Sequence, residues 1–295
     1  MLPCRIWLFL RGGIVTVTKE DIKASALKLG IKDGDSVIVH SSLKSLGYVE
    51  GGADAVIDGF LEAVGKDGTL IFPTLCSQDW KHVYENWHMD APSDVGYITN
   101  VFRKREGALR SNQATHSVAA MGKDAVYFTE THGQSGLRPG IYGETPFAED
   151  SPWQKMYNRN TKNVMLGVPM MYCTMRHLAE YVFVNESLEA ISHLEEYESM
   201  KEALWYYGKE PRVWPHIYSN TVCETLMERG LVSTSVCGNA TLLCVESKTF
   251  ADFCRNLLEE ADERYLWDVG VCYKETVEWL KKMKQLKKRR INYVY

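Results

Sequence analysis

The chain has 295 residues, 45% hydrophobic and 24% charged, with a formal net charge of −4. That length suits one large α/β domain or two small ones with ample core. No run of 18 apolar residues occurs, which excludes a helical membrane span. The stretch KKMKQLKKRR at 281–290 holds seven positive charges and no acid, so the rest of the chain carries −11. An acidic body with a basic tail is a poor nucleic-acid binder and a reasonable partner for a cationic small molecule. The tail itself reads as a solvated helix end.

Along the chain, Ile6 to Leu10 follows Arg5 in the manner of a signal peptide. The apolar run is short for that, and Arg11 interrupts it. Residues 1–18 are therefore read as an N-terminal extension, dispensable up to Ile14. Residues 19–295 are read as a single domain that includes a basic C-terminal helix. Thr18-Lys19-Glu20-Asp21 has the form of a helix N-cap with acids in the first turn, and a helix is predicted over 19–29.

The stretch from Val37 to Thr74 follows. The β-branched run Val37-Ile38-Val39 predicts a strand that ends in the small polar loop His40-Ser41-Ser42. Val56, Ile57, Phe60, Leu61 and Val64 fall on one side of a predicted helix over 53–64. Gly65 to Gly68 forms a turn, and Thr69 to Phe72 a second strand ending at Pro73-Thr74. Ligands of such units sit at the carboxyl ends of the strands, where His40 and Thr74 fall. A small polar loop there offers N–H groups and hydroxyls to a phosphorylated or amide-rich ligand.

Residues 75–95 read as a long functional loop carrying Asp79, Trp80, Tyr84, Glu85, Trp87, Asp90 and Asp94. A strand is predicted at 163–168, a helix at 177–185, a strand at 240–245, and helices at 220–230 and 249–266. The alternation places the chain in the α/β class. Its eight cysteines (Cys4, Cys76, Cys173, Cys223, Cys237, Cys244, Cys254, Cys272) form no C-x-x-C pair. Several lie in apolar stretches, so reduced thiols and a cytoplasmic home are expected.

Three histidines are candidates for chemistry. His40 ends a strand, His116 lies beside Ser117, and His177 follows the strand predicted at 163–168. A histidine at such a point can serve as a general base near neutral pH. Glu180 is three residues on, on the same helical face, placed to hold the imidazole in one tautomer. The competing readings are a surface ion pair for His177 and Glu180, and structural histidines for the other two. Cys173 or Ser41 as a nucleophile is a further alternative. A metal site at His177 and Glu180 needs a third ligand, which no H-E-x-x-H spacing supplies. No nucleoside-triphosphate loop is present, and Gly51-Gly52 alone is a tight turn.

Taken in order, the motifs are more specific than any one of them. They are HSSLKSLG at 40–47, GGA at 51–53, GKDGTLIFPT at 65–74, GYITNVFR at 96–103 and GALRS at 107–111. THSVAA at 115–120, SPW at 151–153, LGV at 166–168 and HLAE at 177–180 complete the series. Over roughly residues 19–270 the chain resembles the aminoglycoside 3-N-acetyltransferase family, antibiotic N-acetyltransferases outside the GNAT superfamily. The resemblance implies a single α/β domain. A central mixed sheet would be flanked by helices in α/β/α layers, with long substrate-site loops. It implies acetyl-CoA as cosubstrate, no metal, and direct transfer to an amine without an acyl-enzyme. His177 is then the catalytic base with Glu180 beside it. His40, Ser41, Ser42, Leu43, Thr74, Arg110, Ser111, His116 and Ser117 form the CoA side, with Thr74 or loop amides facing the oxyanion. The implied acceptor is the 3-amino group of the 2-deoxystreptamine ring of an aminoglycoside, whose acetylation confers resistance. The alternatives are another amine or amino sugar, or a catalytically silent CoA-binding relative. No nucleic-acid or membrane partner is expected.

The chain departs from the family pattern at Gln113-Ala114, where members often carry His-Pro. It also departs at Met170-Met171-Tyr172-Cys173, where they often carry polar residues. The 75–95 loop and the cluster Glu189, Glu195, Glu196 and Glu198 are the expected substitutes for lost acceptor contacts.

Overall fold

A computed structural model describes residues 16–76, 87–133, 145–204, 213–266 and 273–291. The predicted dispensable segment up to Ile14 lies outside the described residues, as do Asp79, Trp80, Tyr84, Glu85, Cys4 and Cys272.

The strands are β1 (Thr16–Val17), β2 (Ser36–Ser41), β3 (Tyr48–Val49), β4 (Thr69–Pro73), β5 (Leu109–Arg110), β6 (Val118–Gly122), β7 (Lys162–Leu166), β8 (Ser233–Cys237) and β9 (Ala240–Glu246). The helices are α1 (Lys19–Lys28), α2 (Leu43–Leu46), α3 (Gly52–Val64), α4 (Tyr97–Phe102), α5 (Ala125–Thr129), α6 (Pro152–Asn158), α7 (Met175–Ala190), α8 (Tyr197–Leu204), α9 (Ser219–Glu228), α10 (Ser247–Glu260) and α11 (Tyr273–Ile291). Seven strands form one mixed sheet in the order β5-β6-β4-β2-β7-β9-β8. β2 runs parallel to both neighbours, β4 and β7. The α/β class and the mixed central sheet are as expected.

Alternation along the strands builds a core on each face. Val37, Val39, Leu70 and Phe72 point toward α1 and α3, where Ile22, Val56, Ile57 and Phe60 meet them. Ile38, Ile71 and Met165 point the other way, toward Trp153, Leu178, Phe250 and Met283 of α6, α7, α10 and α11. Helices therefore cover both faces, as a sheet buried on two sides requires.

Thr18 caps α1 through a reciprocal pair: its hydroxyl accepts from Asp21 N at 3.2 Å, and Asp21 Oδ2 accepts from Thr18 N at 2.9 Å. The last described residues of the segment read as an extension form β1. Thr16–Val17 pairs with Tyr48–Val49, and Val17 is buried.

The basic tail is α11, with Leu280, Met283 and Leu286 on its buried side. Its cations meet acids of the body: Lys281 pairs with Glu263 at 2.5 Å, Lys284 with Glu260 at 2.6 Å, Arg289 with Glu196 at 3.0 Å, and Lys287 with Glu259. Glu189 sits at the far end of α7, twelve residues and about 18 Å from His177. Glu196 is engaged by Arg289. Glu189 of the cluster expected to substitute for lost acceptor contacts is thus a helix length from His177.

Candidate active site

Because β2, β4 and β7 are parallel, their carboxyl ends share one edge of the sheet. β6 is antiparallel and begins at that edge, with Val118 opposite Pro73. The arrangement gathers His40 to Leu43, Thr74, His116 to Ser117 and the start of α7. The exit of β7 is locked against the loop after β2. Ser42 N donates to Leu166 O at 3.0 Å, and a Cβ on Gly167 would lie 1.7 Å from Ser45 Oγ. Gly167 also has φ +63°, a left-handed conformation that glycine adopts without steric cost.

On the β4 side, three predicted residues form a closed cluster. Thr74 and Ser117 are fully buried, with their hydroxyls 2.8 Å apart. Ser117 Oγ also donates to Thr74 O at 3.0 Å. Arg110 donates to Thr74 O at 2.8 Å, Met89 O at 2.8 Å and Ala91 O at 2.6 Å, with Trp87 stacked on its guanidinium. These three side chains are bonded mainly to one another and to the backbone. Ser111 is buried beside them and bonds His132, a residue the sequence reading missed. His132 Nε2 faces Pro146 O at 3.0 Å, and a carbonyl can only accept, so Nε2 carries the proton. Ser111 Oγ, 2.9 Å from Nδ1, is then the donor there. At the end of β2, His40 Nε2 and Ser41 Oγ are buried and have no protein hydrogen-bond partner.

On the other side stands His177, in the first turn of α7. Its Nδ1 is 2.8 Å from Glu180 Oε2. Arg176 Nε, which can only donate, points at His177 Nε2 from 3.3 Å. The lone pair is therefore on Nε2, and the proton on Nδ1 is given to Glu180. Glu180 is completely buried and holds more than the histidine. Oε1 accepts from Ile217 N at 2.8 Å, and Oε2 accepts from Trp214 Nε1 at 3.1 Å. His216 Nδ1 lies 3.5 Å from Oε2. Burial alone would raise this carboxyl, but the N–H groups that His177 and His216 direct at it outweigh that. Glu180 stays ionised, well below the usual carboxylate range. Burial lowers the His177 imidazole; Glu180 opposes that shift and Arg176 adds to it.

His116 faces His177 with ring centroids 5.9 Å apart. The turn that carries it is clamped by Gln113 Oε1, which accepts from Thr115 N at 2.7 Å and His116 N at 2.6 Å. Phe147 and His216 stand against the other sides of the His177 ring, at 5.9 Å and 6.1 Å. Trp214 and His216 had no signal in the sequence, because they reach Glu180 from more than thirty positions away.

The competing chemistries fare differently. Cys173 is completely buried, and burial pushes its thiol up to about 12, so it is not a nucleophile. Ser41 Oγ has no base bonded to it. His177, Glu180 and His216 supply three ligand-type atoms within 4.8 Å of one another, the third ligand that linear spacing did not reveal. Both Glu180 oxygens are already engaged by N–H donors, so a metal would have to displace that network.

Burial lowers His40 and His132 to about 3. Both are neutral when folded and titrate near 6.5 when unfolded, so the unfolded chain binds more protons below 6.5. Their contribution to stability is complete above that pH and is lost as pH falls from 6.5 toward 3. Chemical denaturation should show unfolding free energy lower by about 3 kcal/mol at pH 5.5 than at pH 7.5, about 1.4 kcal/mol per histidine. Equal stability at the two pH values would contradict this.

A sequence profile described as Aminoglycoside 3-N-acetyltransferase matches residues 38–259. The chain is 31% identical over 185 residues to the SPbeta prophage-derived aminoglycoside N(3')-acetyltransferase-like protein YokD of Bacillus subtilis (strain 168). That alignment covers 56% of this chain and 65% of the relative, just under two thirds of the relative's length. Among solved structures, the apoenzyme of aminoglycoside acetyltransferase AAC(3)-IVa superposes with a TM-score of 0.67 at 18% identity, covering 92% of this chain and 100% of that one. AAC-IIIb, solved as a binary complex with CoASH, gives 0.65 at 19% identity, covering 87% and 100%. At such identities the structural likeness is one of fold. On the profile match, which runs from within β2 to within α10 and takes in every residue of the site, the chain belongs to the aminoglycoside 3-N-acetyltransferase family.

Proposed function

We propose that this chain is an acetyl-CoA-dependent N-acetyltransferase acting on a small-molecule amine, with His177 as general base. One observation carries the reading: a neutral histidine with its lone pair on Nε2, fixed through Nδ1 by a buried carboxylate, at the shared edge of β2, β4 and β7. AAC-IIIb with bound CoASH supports the cosubstrate.

Bound acetyl-CoA supplies the activated acetyl group. The orphaned His40 Nε2 and Ser41 Oγ fit a ligand rich in amides and phosphates, and the loop Ser41 to Leu43 is the proposed donor side. Thr74, Ser111 and Ser117 shape that side from beneath, and Arg110 and His116 flank it. Amines are mostly protonated at pH 7 and must be neutral to attack. His177 Nε2 takes the amine proton as the N–C bond forms and the C–S bond breaks, then returns it to the departing thiolate. Glu180 stabilises the imidazolium in between.

Aminoglycosides are the acceptors named for the relatives; AAC(3)-IVa was solved with a gentamicin and with apramycin. The 3-amino group of the 2-deoxystreptamine ring is the corresponding position here, and its acetylation would confer resistance. Another amine is the second reading, favoured by the cation of Arg176 beside the base. Free-thiol release from acetyl-CoA, with and without amines, tests the function. Release that requires an amine is expected. Release without one would indicate hydrolysis, and CoA binding without release a silent relative.

A further inference from the structure

Gln113 is buried in the turn between β5 and β6, at a position where the chain departs from the family pattern. Its Oε1 accepts from Thr115 N at 2.7 Å and from His116 N at 2.6 Å. Backbone N–H groups can only donate, so the atom they meet is the amide oxygen and not the nitrogen. The Thr115 hydroxyl stands 3.1 Å from the same oxygen and is therefore the donor there. With its one proton given to Gln113, Thr115 Oγ1 can only accept from His116 Nδ1, 2.9 Å away. The proton of a neutral His116 is thus on Nδ1, and Nε2 is an acceptor. The backbone of His116 is also held by Trp153, whose Nε1 donates to His116 O at 2.9 Å. Gln113 Nε2 is buried with no protein partner, so the amide is oriented by the bonds to its oxygen alone.

The ring fixed in this way packs on Phe147 at 4.7 Å and meets His177 edge to face at 5.9 Å, centroid to centroid. Burial, and after it His177 and His132, hold His116 well below the ordinary histidine value, so the ring is neutral near pH 7. Proton transfer makes an imidazolium of His177. A neutral neighbour whose second nitrogen is an acceptor tolerates that cation, whereas an N–H at the same place, or a second cation, opposes it. The tautomer of His116 therefore bears on the base, and an uncharged side chain on the same turn sets it. We propose that Gln113 is a positioning residue for the transfer, acting through Thr115 to fix the orientation and tautomer of His116 beside His177. In this role Gln113 touches neither substrate. The proposal rests on the acetyl-transfer reading above.

Nitrogen NMR of the histidine rings in the full chain reads the tautomer without turnover, with His116 assigned by its loss in His116→Gln. Nδ1–H is expected near pH 7. Thr115→Val removes the middle link and leaves both backbone N–H groups on Gln113; Gln113→Met removes the acceptor outright. Each should release the tautomer, giving Nε2–H or a mixture. Each should also lower kcat for amine-dependent thiol release about 10- to 100-fold, the scale on which a misplaced group costs rate. Thr115→Ser keeps the hydroxyl and should restore both tautomer and rate. Gln113→Met leaves two buried N–H groups unpaired, so if it fails to fold, Thr115→Val decides. Nε2–H in the unsubstituted protein would overturn the proposal, and so would full turnover in Thr115→Val. Slow turnover in Thr115→Val with Nδ1–H retained would make the contacts of Gln113 structural only, and overturn it as well. The acetyl-transfer reading survives all three results. No thiol release with any amine in the unsubstituted protein would overturn that reading, and this role for Gln113 with it, whatever the spectra show.

Discussion

His177→Ala is expected to lower turnover by about two to four orders of magnitude, the usual contribution of a positioned general base. The KM for acetyl-CoA should change little, because the proposed donor side is built from the loop after β2 and not from α7. The residue has the three properties the role needs: a lone pair on the outward nitrogen, a neutral ring at pH 7, and a fixed orientation. Burial places its titration below 6.5, against the opposing pull of Glu180 and with the help of Arg176 and His216. The acid limb of kcat/KM should therefore fall below that pH and vanish in the alanine variant. Steady-state thiol release across pH 5–8 measures both effects. A variant that turns over at the wild-type rate would remove His177 from the reaction.

Glu180→Gln is the second large effect. The side chain keeps its size and loses its charge. An amide has one acceptor oxygen, whereas Glu180 accepts from Ile217 N, Trp214 Nε1 and His177 Nδ1 with two. The amide NH2 must therefore face at least one N–H. If it faces His177, the imidazole flips to the tautomer that cannot take a proton at Nε2. Turnover should fall by about 10²- to 10⁴-fold, as for a carboxylate that sets the tautomer of a catalytic histidine. Unfolding free energy should drop by about 1–3 kcal/mol, the cost of a buried donor left unsatisfied. Turnover and denaturation measured on the same preparation separate the two consequences. Lost stability with an intact rate would make Glu180 a structural carboxylate only.

Local periodicity made much of this legible. The β2–α3–β4 unit was readable because its apolar runs and glycine turns are short-range signals, and His177 with Glu180 because three residues of helix bring them to one face. The strand predicted at 163–168 stops at Leu166, since Gly167 turns in a left-handed conformation. The helix predicted over 249–266 ends at Glu260, where Ala261 takes φ +52°. β6 overlaps the THSVAA motif but carries little strand signal, because Ala119 and Ala120 have low strand propensity. β8 is a polar edge strand, Ser-Thr-Ser-Val-Cys, and escaped for the same reason. His132, Trp214 and His216 were invisible, since their partners are distant in the chain and only the fold unites them.

The contact between Gly167 and Ser45 bears on how the two halves of the site are aligned. With a side chain of any size excluded there, and Ser42 bonded to Leu166, the loop after β2 and the approach to α7 share one frame. Their spacing is set by the pairing of β2 with β7, Val37 opposite Lys162 through Ser41 opposite Leu166. A slip of one residue in that ladder would carry His177 about 3.3 Å along the strand, further than a hydrogen bond can follow. It would also turn Met165 out of its core. Strand register, defended on both faces by packing, is thus the ruler that fixes how far the loop after β2 stands from His177.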